Sequence, residues 1–149
     1  MITYLDTSTM LKLVIDEPGS QAALAVWTAA ESVASVSLIV VEARAALGAA
    51  ARARRLTDTQ RRAAVDELDL LFAALHVVAV TDELVAAAAE LAEVEQLRGY
   101  DAVHLAAAFT VGARVFSSAD TALCDAAARR GLHVANPLVG RVESKDTHG

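Results

Sequence analysis

The sequence predicts an α/β fold, a three-layer α/β/α sandwich around a central, mostly parallel five-stranded sheet. Short apolar runs alternate with longer segments of helical periodicity along most of the chain. The strand-like runs lie at residues 2–5, 32–36, 76–80, 113–118 and 132–136. Strands rich in apolar residues that alternate with helices are typical of parallel sheets covered on both faces.

The segments between these strands carry helix signals. Ser37 is placed to cap a helix over 38–54, and Thr57 and Gln60 have capping-box spacing for a helix through Leu75. The remaining predicted helices run from Ser8 to about Pro18 and over 21–30, 84–97, 101–113 and 119–131. No internal repeat or linker interrupts this pattern, so we predict one domain over 1–140 and a polar C-terminal tail over 141–149.

Composition narrows the class of protein. The chain has 149 residues, 55% of them apolar and 4% aromatic, so its core must be built from Ala, Val and Leu. Cys124 is the single cysteine, which excludes a disulfide framework or a thiolate zinc cluster. The sequence lacks a signal-peptide pattern and the roughly 20 apolar residues of a membrane span. We expect a cytoplasmic protein with no membrane association.

The net charge of −6 argues against a general nucleic-acid binder with a broad basic face. Arginines nevertheless crowd one segment, at positions 44, 52, 54, 55, 61 and 62. Two interpretations remain open. The segment is either a solvated helix face or a local phosphate-binding patch that includes Arg52, Arg54 and Arg55.

Four carboxylates stand out by position. Asp6 directly follows the first strand, Asp120 follows the fourth, and Asp101 opens the helix after the RGY turn. Each of these aspartates has a simpler explanation in helix capping or the helix dipole, although near Asp120 we expect Ser118 to be the cap. Glu42 lies in the apolar stretch SLIVVEARAAL, where few positions face solvent.

The predicted topology brings these acids together. Ligands of open parallel sheets bind at the carboxyl ends of the strands, where the strand order reverses, and Asp6 falls at such an end. Crowded carboxylates repel one another, and a hard divalent cation relieves that repulsion. An oxygen-only ligand set suits Mg²⁺, with Mn²⁺ as a substitute, and no His or Cys spacing indicates zinc.

This chain matches, in order and spacing, the motifs of the PIN-domain ribonucleases. The matching stretches are YLDTSTMLKLVIDEPGS, SLIVVEARAALGAAARARR, LRGYDAVHLAAA, VFSSADTALCDAAARRGL and HVANP. It resembles in particular the toxins of VapBC-type toxin–antitoxin pairs, over nearly the whole chain except the polar tail. The DTS start, the glutamate, the D-x-x-H-L-A-A-A helix and the S-x-D-x-x-L turn are weak singly and specific together.

The resemblance implies a catalytic and metal-binding quartet of Asp6, Glu42, Asp101 and Asp120. In the family the positions of Asp6 and Asp101 usually contact the metal directly, and the other two act through water or hold a second ion. Ser8 and Ser118 match hydroxyl positions that support the site. Two residues stay open: Asp125 is a further site acid or an exposed helix acid, and His104 faces the site or belongs to the core.

The resemblance implies a Mg²⁺-dependent endoribonuclease that acts as a toxin on cellular RNA such as tRNA or rRNA. Metal-activated water would cut the phosphodiester and leave a 5′-phosphate and a 3′-hydroxyl, with Arg52, Arg54 and Arg55 gripping the RNA. The implied partner is a VapB-type antitoxin that sets a basic side chain against the acidic cluster. The mean hydropathy of +0.40 favours a homodimer as well.

Three other functions compete with this prediction. A phosphatase of the haloacid dehalogenase type needs a second aspartate two residues after the first, where this chain has Ser8. A receiver-type signalling module needs adjacent acids after the first strand and a phosphoacceptor aspartate in mid-chain, which fit poorly here. A catalytically weak PIN module that binds RNA or protein remains the third.

Overall fold

The computed structural model describes residues 1–139, so the predicted tail over 141–149 lies outside the described residues. The elements are, in chain order, β1 (Ile2–Leu5), α1 (Thr7–Val14), α2 (Ser20–Ala29), β2 (Ser32–Val36), α3 (Ile39–Arg52), α4 (Asp58–Ala74), β3 (His76–Val78), α5 (Asp82–Glu95), α6 (Gly99–Thr110), β4 (Val115–Ser117), α7 (Thr121–Arg129) and β5 (His133–Ala135). The alternation of strands and helices predicted from the sequence is confirmed.

The five strands form one sheet in the order β3-β2-β1-β4-β5, and all four pairings are parallel. Strand β1 lies at the centre, hydrogen-bonded to β2 on one side and to β4 on the other. The chain builds one half of the sheet outward from β1 and then returns to β4. The strand order therefore reverses between β1 and β4, which is where ligands bind in sheets of this kind.

Helices cover both faces of the sheet, as predicted. One core joins α1, α3 and α4 to the face of β1 that carries Leu5. The other joins α5, α6 and α7 to the face that carries Tyr4 and Phe116. Tyr4 and Leu5 are each fully buried on opposite faces, as the pleat of a strand requires. Among the described helices, none has the length and apolar character that crossing a bilayer demands.

Helix boundaries differ from the prediction in three places that matter for the site. Helix α1 ends at Val14 rather than near Pro18, because the backbone is already extended at its C-cap, Ile15. Helix α6 begins at Gly99, so Asp101 lies within its first turn rather than opening it. Helix α7 begins at Thr121 with Asp120 as its cap. The Thr57–Gln60 capping box is present as predicted.

Candidate active site

Asp6 lies at the carboxyl end of the central strand, where the strand order reverses. It follows β1 directly and is the N-cap of α1, with Oδ1 accepting the Thr9 N–H at 3.1 Å. The residue is only 4% exposed. An acid stands at this junction because it follows a buried strand and its carboxylate caps the helix that begins there.

Two serines hold the Asp6 carboxylate. The Ser8 hydroxyl donates to Oδ1 and the Ser118 hydroxyl donates to Oδ2, each at 2.6 Å. The two serine oxygens in turn accept the N–H groups of Ala119 at 2.9 Å and Asp120 at 3.0 Å. Because the backbone groups are donors, the serine protons point to the carboxylate. The loop after β4 thus supports the acid that follows β1.

Burial raises the pKa of Asp6 above its ordinary value, although the hydrogen bonds from Ser118, Ser8 and Thr9 oppose that shift. No Lys or Arg within residues 1–139 forms an ion pair with this carboxylate. A buried carboxylate held by neutral donors alone is a place where a cation is electrostatically favoured.

Asp120, and not Ser118, caps α7, which corrects the expectation from the sequence. Asp120 Oδ1 accepts the Leu123 N–H at 2.9 Å. The Ser118 hydroxyl is unavailable as a cap because it is already shared between the Asp6 carboxylate and the Asp120 N–H. Asp120 therefore directs Oδ1 to the helix and Oδ2 outward.

Arg98, the residue before α6, joins Asp101 and Asp120. Its Nε donates to Asp101 Oδ2 at 3.0 Å, and a terminal nitrogen donates to Asp120 Oδ2 at 3.1 Å. The Arg98 side chain is 79% exposed, so it is held mainly by these two acids. These two carboxylates are therefore already paired within the chain, by an arginine of its own.

Glu42 lies in the first turn of α3 and is half-buried. Its Oε1 accepts the Thr7 hydroxyl at 3.0 Å and the Nε2 of His104 at 2.8 Å. Burial raises the pKa of Glu42, but the hydrogen bonds from His104 and Thr7 oppose it, and the net pKa is lowered. His104 is 2% exposed, so it belongs to the core and contacts a predicted site residue as well.

The donor set of the four acids fits a divalent metal. All candidate ligands are carboxylate oxygens, the type that Mg²⁺ and Mn²⁺ prefer. Within the described range 1–139, however, no three side chains of His, Cys, Asp or Glu are close enough together to share one ion. Arg98 pairs with both Asp101 and Asp120, so a cation that binds these two acids must displace the guanidinium.

The predicted RNA-binding arginines lie at the far end of α3 and in the turn that follows it. Arg52 is ten residues from Glu42 along the helix, about 15 Å. Arg52, Arg54 and Arg55 are exposed and pair with no acid of the described chain, whereas Arg44, Arg61 and Arg62 pair with Asp69 or Asp58. Asp125 is exposed on α7.

Sequence reasoning missed three residues that contact the acids or their partners. Arg98 stands three positions before Asp101, a spacing that lets side chains meet on a helix. Thr7 adjoins Asp6 but reaches Glu42. Tyr4 forms a hydrogen bond with His104. The sequence indicates its role only in that Tyr4 is a polar aromatic residue within a strand expected to be buried.

Comparison with known proteins agrees with this architecture. The PIN domain family model matches residues 3–129. The ribonucleases VapC45 and VapC49 of Mycobacterium tuberculosis (strains CDC 1551 / Oshkosh and ATCC 25618 / H37Rv) are each 40% identical to this chain over 111 residues, 74% of this chain and 77% of theirs. The chain therefore belongs to the PIN domain family, in the group of the VapC ribonucleases.

Solved structures share the fold at low identity. FitAcB from Neisseria gonorrhoeae has a TM-score of 0.70 at 18% identity, over 94% of this chain and 100% of that one. VapC20 of Mycobacterium tuberculosis, described as a sarcin-ricin loop cleaving toxin, has a TM-score of 0.67 at 21% identity, over 89% and 98%. VapBC-1 of nontypeable Haemophilus influenzae has a TM-score of 0.62 at 13% identity, over 92% and 98%.

Proposed function

We propose that this protein is a metal-dependent endoribonuclease that acts as the toxin of a type II toxin–antitoxin pair and cuts cellular RNA such as tRNA or rRNA. The observation that carries the proposal is Asp6, a buried carboxylate at the reversal of strand order, held by Ser8 and Ser118 and paired with no Lys or Arg of residues 1–139. The 40% identity to two ribonucleases supports the same activity.

The resemblance to the PIN-domain ribonucleases assigns the four acids different roles. Asp6 and Asp101 would hold Mg²⁺, or Mn²⁺ in its place, directly, and Glu42 and Asp120 would act through water or hold a second ion. When bound, the cation stabilises the charge that grows on the phosphate and acidifies water in the site. Glu42 or Asp120 orients or deprotonates that water, a contribution of about 10²- to 10⁴-fold.

Arg98 has to leave Asp101 and Asp120 for a cation to bind there. Its side chain is 79% exposed, so the two ion pairs are screened by water and are weak enough to exchange. Once released, the guanidinium stays within reach of the site and complements an RNA phosphate there. Arg52, Arg54 and Arg55 contact phosphates further along the RNA.

The proposed partners are a VapB-type antitoxin and a second copy of this chain. A basic side chain of the antitoxin takes the place that Arg98 occupies between the acids. Apolar side chains are exposed in the α1–α4 layer, Leu24 at 57%, Val41 at 63% and Leu70 at 74%, and these support self-association. Because its proposed substrate is cellular tRNA or rRNA, we place the protein's action in the cytoplasm.

The test is cleavage of total RNA by purified protein with and without Mg²⁺. We expect Asp6→Asn and Asp101→Asn to remove cleavage while Asp66→Asn, at an exposed acid of α4, retains it. Cleavage that survives EDTA, or that persists in both site variants, rejects the metal mechanism. The toxin role further requires a small antitoxin gene beside this one, whose co-expression should stop cleavage and relieve the growth arrest. The absence of such a gene, or cleavage that continues on co-expression, leaves a PIN nuclease without the toxin role.

A further inference from the structure

His104 is a buried residue whose two ring nitrogens both contact residues of other elements. It lies on α6, and its Nε2 is 2.8 Å from Glu42 Oε1 on α3. Its Nδ1 is 2.7 Å from the Tyr4 hydroxyl on β1. The imidazole thus joins the central strand to the helix that carries a proposed catalytic acid, and the cleavage chemistry outlined above does not use it.

The direction of each hydrogen bond follows from the groups themselves. The Glu42 carboxylate accepts only, so Nε2 of His104 carries a proton and donates it to Oε1. In the neutral imidazole the other nitrogen, Nδ1, is then a bare acceptor, and the Tyr4 hydroxyl donates to it. The Tyr4 oxygen accepts the N–H of Val36 at 3.2 Å, which can only donate. One direction of donation therefore satisfies every group from β2 to Glu42.

Tyr4 is a rigid anchor for this chain of hydrogen bonds. Its ring stacks on Phe116 at 5.4 Å and 3° and meets the His104 ring edge-on at 5.7 Å and 75°. Tyr4 and Phe116 are fully buried. The position of the Tyr4 hydroxyl in the core is therefore fixed, and its hydrogen bond to Nδ1 restrains the His104 imidazole.

The two bonds to Glu42 act on one oxygen. His104 and Thr7 both donate to Oε1, while Oε2 accepts no hydrogen bond from the described part of the chain. We propose that Tyr4 and His104 are positioning residues. Tyr4 holds the Nε2–H imidazole of His104 in place through Nδ1, and His104 in turn fixes Oε1 of Glu42, so that Oε2 is presented to the metal or water of the site. The effect of this arrangement on catalysis rests on the proposed nuclease function, whereas the tautomer of His104 is independent of that function.

The first test is nitrogen NMR of the histidine side chains in the full, metal-free protein, with the His104 signals assigned from their loss in His104→Gln. We expect His104 in the Nε2–H tautomer in the wild type. Tyr4→Phe keeps the ring but removes the donor to Nδ1. The tautomer should stay Nε2–H, because Glu42 still accepts from Nε2, while the Nδ1 chemical shift should move to that of an imidazole nitrogen without a hydrogen-bond donor. Thr9→Val is the matched control, because it removes a buried hydroxyl that contacts Ser117 and should leave both ring nitrogens of His104 unchanged.

The second test is RNA cleavage by the same variants and by a matched pair at His104. Residues that orient a metal-binding side chain through a hydrogen bond typically contribute about 10- to 100-fold to activity. We expect a loss of that size in kcat for Tyr4→Phe, with KM for RNA little changed. The amide of Gln can occupy the place of Nε2, whereas that of Asn lies nearer Nδ1. His104→Gln should therefore retain more activity than His104→Asn.

These outcomes decide the proposal either way. An Nδ1–H or doubly protonated His104 in the wild type, or an Nδ1 chemical shift that is unchanged in Tyr4→Phe, overturns it. Wild-type kcat in Tyr4→Phe, or equal activity of the two His104 variants, overturns the positioning role. If the wild-type protein cuts no RNA, the nuclease function fails, and the NMR result still decides whether this network orients Glu42.

Discussion

The Ser118 hydroxyl donates to Asp6 Oδ2 at 2.6 Å and joins the loop after β4 to the acid that follows β1. The two residues are 112 positions apart in the sequence. Their contact follows from the parallel pairing of β1 with β4, in which Leu5 lies opposite Ser117. Adjacent strands that end at the same edge of a sheet bring the residues after them together, and this contact is the framework of the proposed site.

Ser118→Ala tests that contact through stability. The change leaves a buried carboxylate oxygen without its donor, so we expect a decrease of about 1–3 kcal/mol in the free energy of unfolding at neutral pH. The cost should shrink as the pH falls and Asp6 becomes protonated, because the hydrogen bond from Ser118 favours the charged form. Urea unfolding of the metal-free protein measures both effects.

Ser117→Ala is the control for this experiment. Ser117 is as buried as Ser118, but its hydroxyl contacts the Thr9 hydroxyl and the Ala135 carbonyl, which do not titrate. Its cost should not vary with pH. Equal pH dependence in the two variants contradicts the assignment of Ser118 to the Asp6 carboxylate.

Asp6→Asn tests the raised pKa. Between the ordinary value of 3.8 and the raised folded pKa, the folded protein binds more protons than the unfolded chain. The free energy of unfolding of the wild type therefore falls as the pH rises through that window. Asn caps helices as well as Asp, so Asp6→Asn should be the more stable protein above the window.

The measurement is unfolding in EDTA as a function of pH, with Asp66→Asn as an exposed control. We expect the advantage of Asp6→Asn over the wild type to disappear on acidification. An advantage that is constant with pH, or that grows as the pH falls, contradicts burial as the dominant influence on Asp6.

Arg98→Gln tests whether the arginine competes with metal. Removing the guanidinium frees Asp101 and Asp120, and because exposed ion pairs are weak we expect Mn²⁺ to bind about 2- to 10-fold more tightly. Calorimetry on the metal-free protein measures this without RNA. Arg44→Gln is the control, since Arg44 pairs with Asp69. Unchanged or weaker Mn²⁺ binding in Arg98→Gln shows that Arg98 does not occupy the metal position.

Charge reversal of Arg52, Arg54 and Arg55 tests the RNA patch. In an Asp101→Asn background, which keeps the RNA intact, we expect weaker binding and a shallower salt dependence, by about 0.7 in slope for each phosphate that the variant no longer neutralises. Arg61→Glu with Arg62→Glu is the control, because these side chains already pair with Asp58. If both sets behave alike, the segment is a solvated face.

Leu70→Gln tests self-association. Light scattering should give a dimer for the wild type at tens of micromolar and a larger monomer fraction for the variant, because Leu70 is 74% exposed in the α1–α4 layer. Val94, 64% exposed on α5 in the other layer, provides the control Val94→Gln. A monomeric wild type rejects the homodimer.

The sequence predicted most of the fold because the signals that define it are local. Residues 2–5 and 32–36 form strands with the predicted bounds, and the Thr57–Gln60 capping box starts α4 as expected. Helix ends were less certain: α1 stops at Val14, four residues before Pro18, and α6 starts ahead of Asp101. The position of a helix end depends on which of the available groups caps the helix, and that choice depends on contacts with residues distant in sequence.

The sequence by itself also determined that acids follow β1 and β4, and hence that the candidate metal ligands are carboxylate oxygens. The tertiary structure decided how those acids are held. Ser118 donates to Asp6 rather than capping α7, which follows it in the sequence. Arg98 pairs with Asp120, and Tyr4 is linked to Glu42 through His104. Each of these contacts joins residues at least 22 positions apart, so its energy exists only once parallel strands and packed helices bring the partners within hydrogen-bond reach.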